Sequence, residues 1–296
     1  MVLEELPRFA RPPVIEVSGA VQFVSLPGFA LREIVQIAEA LPDYELRELG
    51  GLLAPLRELE SGAADQIDGL AGPVALDAPA AQTLARPLVQ AYGQQQQPAQ
   101  QRGVYSTWDE RYVAQVQHDR IAVSEHSAPG LGGEAPCSPN VWRVLEEICE
   151  QVRGALVEDG AEHGPAHATI LELTHVNEIR PAEGVWQSHG ELHRVLRALA
   201  PTTGNPPWAR VELTALTFAF PLHSNDGAFA GRLHVSAKPT YTAAGTPTFT
   251  LVLTARRILD GSGSLADTFD ACRLDAVRAF TALTTSPMHL QWGRER

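Results

Sequence analysis

A capped amphipathic stretch near the end of the chain, Ser264 to Leu283, narrows the choice of folds more than any other segment. Ser264 and Asp267 form an N-terminal capping box, and Leu265, Phe269, Cys272, Ala276, Phe280 and Leu283 then recur at helical spacing. Such a stripe must be covered, so the chain has to supply a layer for it to lie on. Thr284-Thr285-Ser286-Pro287 stops the helix. The tail beyond it, with Met288, His289, Leu290, Trp292 and Arg294, is too apolar and aromatic to stay in water and is expected to pack.

The covering layer is written as alternation. Leu233, Val235 and Ala237 alternate with His234, Ser236 and Lys238, and Phe249, Leu251 and Leu253 with Thr250, Val252 and Thr254. With Ala168 to Ile179 and Val211 to Pro221, these read as antiparallel strands with one face inward. A helix is expected from Trp186 to Leu199, between the first strand of this half and the rest.

The first half repeats the scheme. Ile15, Val17, Val21 and Phe23 share one side of a strand in which Gly19 is expected to mark a bulge, and Pro27-Gly28 leads into a helix from about Phe29 to Leu41. Residues Glu45 to Glu60 read as short helical pieces, and the Gln, Ala and Pro-rich stretch 61–102 as variable. Val104 to Trp108, Arg111 to Gln117 and Arg120 to Glu125 then form a meander, and Val141 to Val157 a second long helix. The expected class is α+β: antiparallel sheet with long amphipathic helices packed on one face, divided into two related strand-helix-meander-helix lobes, residues 1–160 and 161–296. A single continuous sheet is the alternative.

Composition excludes some functions. The 296 residues carry a formal net charge of −12, and the 23 basic residues are all arginine except Lys238. No basic stripe offers a phosphate backbone counterion release, which argues against nucleic acid. No secretory leader or run of about 18 apolar residues is visible, so a cytoplasmic protein without membrane contact is expected. The three cysteines, Cys137, Cys149 and Cys272, have neither disulfide-framework nor metal-knuckle spacing. Cys149 and Cys272 fall on apolar helix faces, while Cys137 sits in a Gly/Pro loop, where it would be a nucleophile only beside a histidine.

Four stretches together resemble an uncharacterised, sporadically distributed prokaryotic protein family of unknown function. Pro12-Pro13-Val14-Ile15-Glu16-Val17 with Val21-Gln22-Phe23 is similar to the family's opening strand. Gln115-Val116-Gln117-His118-Asp119-Arg120 is similar to its Gln-x-Gln-x-Asp-Arg hairpin, and His175-Val176-Asn177-Glu178-Ile179 to its Tyr-Ile-Asn-x-Ile strand. The ending, Met288-His289 and Trp292-Gly293-Arg294, is the nearest match. The chain departs from the family at Val123-Ser124-Glu125-His126, in place of Asn-Trp-Arg, and at Ala271-Cys272, in place of Ala-His. The resemblance implies no reaction, substrate or cofactor.

Sites are few. His189 and His193, four apart, would share a helix face as zinc-binding pairs do, with a third ligand from His163, His167, His175 or His223. The glutamate follows the first histidine by two, so this is not HExxH. With ten histidines in the chain, surface or partly buried helix histidines of no special role explain the pair better than a metal site does. No GxSxG elbow, phosphate loop or dinucleotide fingerprint is present. Polar strand residues Glu16, Gln22, Gln115, Gln117, Arg120, Asn177 and Glu178 would line a cleft if they shared a sheet face, or form that sheet's wet side. The tail offers His289, Trp292 and Arg294 as a partner contact, or as a clasp closing on the sheet. These features point to a binding or accessory protein engaging a peptide or protein partner, such as an operon-encoded protein in an immunity or antitoxin-like role. The alternative is a metal-assisted enzyme using His189 and His193 with a divalent ion. Homodimerisation is compatible with either.

Overall fold

A computed structural model describes residues 6–24, 29, 31–53, 101–127, 135–157, 168–197, 199, 214–224, 226–259 and 263–295. The strands are β1 (Val14–Phe23), β2 (Tyr44–Gly51), β3 (Gln101–Thr107), β4 (Tyr112–Gln117), β5 (Arg120–His126), β6 (Ala168–Ile179), β7 (Leu216–His223), β8 (Phe229–Tyr241) and β9 (Pro247–Ile258). The helices are α1 (Leu31–Ala40), α2 (Ser138–Val157), α3 (Leu192–Val195), α4 (Leu265–Leu283) and α5 (Ser286–Gln291). The class is α+β. One antiparallel sheet holds all nine described strands in the order β2-β3-β4-β5-β1-β6-β9-β8-β7, with β1 and β6 paired at its middle.

The register separates two faces. Ile121, Val17, Leu171, Leu173 and Leu253 point toward the helices, where α2 lies over β1 and β5 and α4 over β6 and β9. They join one core with Val141, Leu145 and Ile148 of α2 and Phe269, Cys272 and Phe280 of α4. Each such fully buried large side chain contributes about 1.5–3 kcal/mol. Gly19 lies in regular register with Val123 and Leu173, so it is not the bulge that its sequence suggests. It is a gap. A Cβ there would meet Phe269 at 3.0 Å, Val141 at 3.1 Å and Leu145 at 3.3 Å, so its bareness lets both long helices seat on the strand.

Ser264 caps α4 as expected, its Oγ accepting from the Asp267 N–H at 3.0 Å. The tail is packed. Pro287 opens α5, Ala10 N–H donates to Gly293 O and Arg11 N–H to Trp292 O, and the Phe9 ring sits 5.6 Å from both Phe280 and His289.

Two further expectations are corrected. Of Glu45 to Glu60, read as short helical pieces, residues 45–51 belong to β2: a register shift between Leu46 and Glu48 turns the strand's two-residue spacing into a three-residue one. The Trp186–Leu199 helix is a 3-10 turn, His189–Glu191, and the single turn α3, because Trp186 bridges back to Ala182 and Leu196 to Thr284. The glutamine run 94–97, residues 54–60 and most of the stretch 61–102 lie outside the described residues. No described helix is long and apolar enough to cross a membrane.

Candidate functional site

The site is built from the side of the sheet that faces away from the described helices. Alternation places Arg102 of β3, Gln115 and Gln117 of β4, Arg120 and Ser124 of β5, and Glu16, Ser18 and Gln22 of β1 there. Glu172 and Thr174 of β6, Thr254 and Arg256 of β9 and Arg232 of β8 continue it across the second half. One row runs Gln115, Ala122, Ala20, Glu172, Arg256, Arg232. This is no wet surface: Arg120 is 1 % exposed, Glu172 3 % and Ser124 0 %.

The charges are held. Arg256 Nε donates to Glu172 Oε2 at 2.5 Å, with both side chains almost wholly buried. Arg102 donates to Gln115 Oε1 at 2.6 Å. The Gln117 amide donates to Asp119 Oδ1 at 2.6 Å and pairs with both backbone groups of Leu53, drawing the chain beyond β2 onto this face. Arg120 lies within electrostatic reach of Glu172, Asp119, Arg256 and Arg102, and burial pulls its pKa down. Further along β1, Glu16 accepts from Ser124 Oγ at 3.1 Å and stands 3.8 Å from His126 Nδ1. Burial raises the Glu16 pKa to about 7, against the opposing Ser124 bond, and holds His126 below the usual histidine range.

Of the sequence-predicted residues, Glu16, Gln117 and Arg120 share this face. Asn177 does not. It follows His175 on the helix side, and its amide donates to Leu251 O at 3.1 Å. His289, Trp292 and Arg294 are also elsewhere: they close on Phe9 and Phe280 in the helix layer, with His289 Nε2 2.8 Å from Thr284 Oγ1 and Nδ1 3.3 Å from Arg294. Glu16 and Asp119, bonded to Ser124 and Gln117 on the opposite face, are not partners of Arg294. Burial and Arg294 lower the His289 pKa.

His189 is buried, and its Nε2 lies 2.9 Å from Thr240 O and 3.0 Å from Thr248 O, so that nitrogen is the N–H donor and Nδ1 alone remains for other contacts. His193 is half-buried in α3. Among the described residues no group of three or more His, Cys, Asp or Glu is placed to hold a metal ion, and His163 and His167 lie outside them.

The helix side holds a polar cluster that the sequence reading passed over. Glu125, fully buried, accepts from Arg111 Nε and Nη2 at 3.0 and 2.7 Å, from Tyr112, from Asn140 and from the Cys137 N–H. It thereby fixes the start of α2. Beside it, Ser138 Oγ meets His175 Nε2 at 2.9 Å, and burial, then Arg273, pushes the His175 pKa to about 4. Both contacts are satisfied inside the fold and read as helix-end packing. Glu172, Arg102, Arg232 and Arg256 were missed on the far face. Their signal is present, since Ile170, Glu172 and Thr174 alternate with Leu171, Leu173 and His175.

The sequence matches no family model, and no curated protein matches it significantly.

Proposed function

We propose that the protein is a non-catalytic binding or accessory protein that engages a protein or peptide partner through the far face of its sheet. The observation that carries this reading is the burial of arginines, carboxylates and amides in rows across that face. Taking charges out of water costs several kcal/mol each and rarely repays in stability, so groups kept there in fixed geometry suit recognition.

The same reading includes two related lobes, residues 1–160 and 161–296. In each, the first strand pairs with the last, β1 with β5 and β6 with β9, and the long helix that follows the last strand lies over that pair. Antiparallel pairing of β1 with β6 then sets two like units side by side and makes the far face continuous across both.

Lys238 provides the test. It is the chain's only lysine, exposed on the far face of β8 opposite Thr250. Affinity purification from the native host at near-physiological salt, followed by amine-specific cross-linking, is expected to return a stoichiometric partner joined to Lys238. Recovery of no stoichiometric partner, or of one joined only through other positions, would overturn the proposal.

A further inference from the structure

Independently of what the far face recognises, we infer that the free edge of β7 pairs antiparallel with β7 of a second copy of this chain, about a twofold axis at Ala219. β7 ends the order of strands, with β8 as its one neighbour among the described strands, and it is largely exposed. Its backbone is turned for a second pairing. Ser224 N–H donates to Ala228 O across the β7–β8 turn, and the register shift between Leu222 and His223 skips Ala230 of β8, so β7 itself alternates without a break. Strand residues two apart turn their backbone groups the same way. Leu222, Phe220 and Phe218 therefore face β8 as Ser224 does, while Thr217, Ala219 and Pro221 present theirs to the open edge. Pro221, which has no N–H, costs the β8 ladder nothing there.

The side chains identify the occupant. The segment Leu216-Thr217-Phe218-Ala219-Phe220-Pro221-Leu222 reads the same in both directions about Ala219, except for Thr217 against Pro221. In a twofold contact residue i meets j and j meets i, so a strand that pairs with itself must match under reversal, a demand that a foreign peptide does not make. Phe218 would stand opposite Phe220 of the second copy and Leu216 opposite Leu222, on the helix side, continuing the row of Val235 and Leu233. Phe220 is 39 % exposed and its ring lies 5.8 Å from that of Phe218, so the cross-strand aromatic pairs have both their rings at hand. Along the backbone, Ala219 exchanges both bonds with its counterpart, and Thr217 N–H donates to Pro221 O of the second copy. Charge decides which edge is used. The chain carries −12, so two copies repel, yet β7 has no ionisable side chain except His223. β2, at the opposite edge, exposes Glu45, Arg47 and Glu48, the first two paired at 3.1 Å, and is broken by its register shift; charge and irregularity protect an edge from pairing.

Sedimentation velocity of the full chain is expected to show a monomer–dimer equilibrium with a Kd below about 100 µM. Ala219→Pro removes an N–H that β8 does not use, so the protein should stay folded by circular dichroism while dimerisation weakens at least tenfold. Ala219→Cys reads the register and does not depend on the proline variant folding. Opposed residues of a bonded pair have Cα atoms about 5.5 Å apart, within disulfide reach, so mild oxidation should yield a covalent dimer. Thr217→Cys, displaced along the strand from its own counterpart, should not, and neither should wild type. A chain monomeric at high concentration, a dimer indifferent to Ala219→Pro, cross-linking through Thr217→Cys in place of Ala219→Cys, or a foreign peptide on β7 of a monomeric chain would overturn the inference. A partner joined to Lys238 of a monomeric chain sinks this inference alone; a dimer linked through β7 without such a partner sinks the proposed function alone.

Discussion

On the helix side of the sheet Val17, Ile121, Leu173 and Leu253 face the apolar residues of α2 and α4. One step along the chain, Ser18, Arg120, Glu172 and Thr254 are shut away almost as thoroughly on the other side, yet they are polar or charged. The same strands thus carry two kinds of interior. The first lowers the free energy of the fold through area removed from water. The second raises it unless every group is matched, which is why burial by itself does not mark a stabilising core.

Breaking the comparison at its sharpest point means separating Glu172 from Arg256. Glu172→Ala strands a buried guanidinium and should cost about 3–5 kcal/mol in urea unfolding, whereas replacing both residues by methionine should cost little or raise stability. If the double replacement were as damaging as the single one, the far face would be a source of stability and the contrast would fail.

The two faces should also titrate in opposite directions. Glu16 has a pKa near 7 in the fold against its usual 4.5, so the native state holds the extra proton and stability falls as pH rises from about 4.5 to 7. The full effect above pH 7 is about 3 kcal/mol, which Glu16→Gln should restore at pH 8 and not at pH 4. His175, on the helix side, has its pKa near 4 against the usual 6.5, so it should be protonated chiefly on unfolding. Its contribution is present above pH 6.5 and lost as pH falls toward 4. Thermal unfolding of wild type, Glu16→Gln and His175→Asn across pH 4 to 8 would expose the opposed slopes; parallel slopes would contradict them.

Smaller effects sharpen the helix side. Gly19→Ala places a methyl group 3.0 Å from Phe269 and 3.1 Å from Val141 and should cost about 1–3 kcal/mol in chemical denaturation. Ser264→Ala, removing an exposed cap from α4, should cost about 1 kcal/mol.

The alternation of apolar and polar residues made most strands legible, and with them the α+β class, because a strand's period survives whatever packs on it. β2 was hidden by one irregular residue at Arg47, which shifts Leu46 and Leu49 to helical spacing. Trp186, Leu192 and Leu196 likewise mimic a helix while serving separate contacts. Glu16, Gln117 and Arg120 were readable as polar positions on strands, but what sets β1 beside the meander is its pairing with β5, and no local pattern encodes it. Arg256 and Glu172 are 84 residues apart and meet only because β9 pairs with β6. His289, Trp292 and Arg294 show the reverse case: a conspicuous aromatic cluster whose partner, Phe9, lies at the other end of the described chain.

Gly19 gives the sheet's midline a mechanical character. The bare backbone there is the shared footing of α2 and α4, with Val141 and Leu145 of one and Phe269 of the other crowding the position that a Cβ would occupy. A side chain added at that one position would therefore press on both long helices at once, like a wedge under two beams.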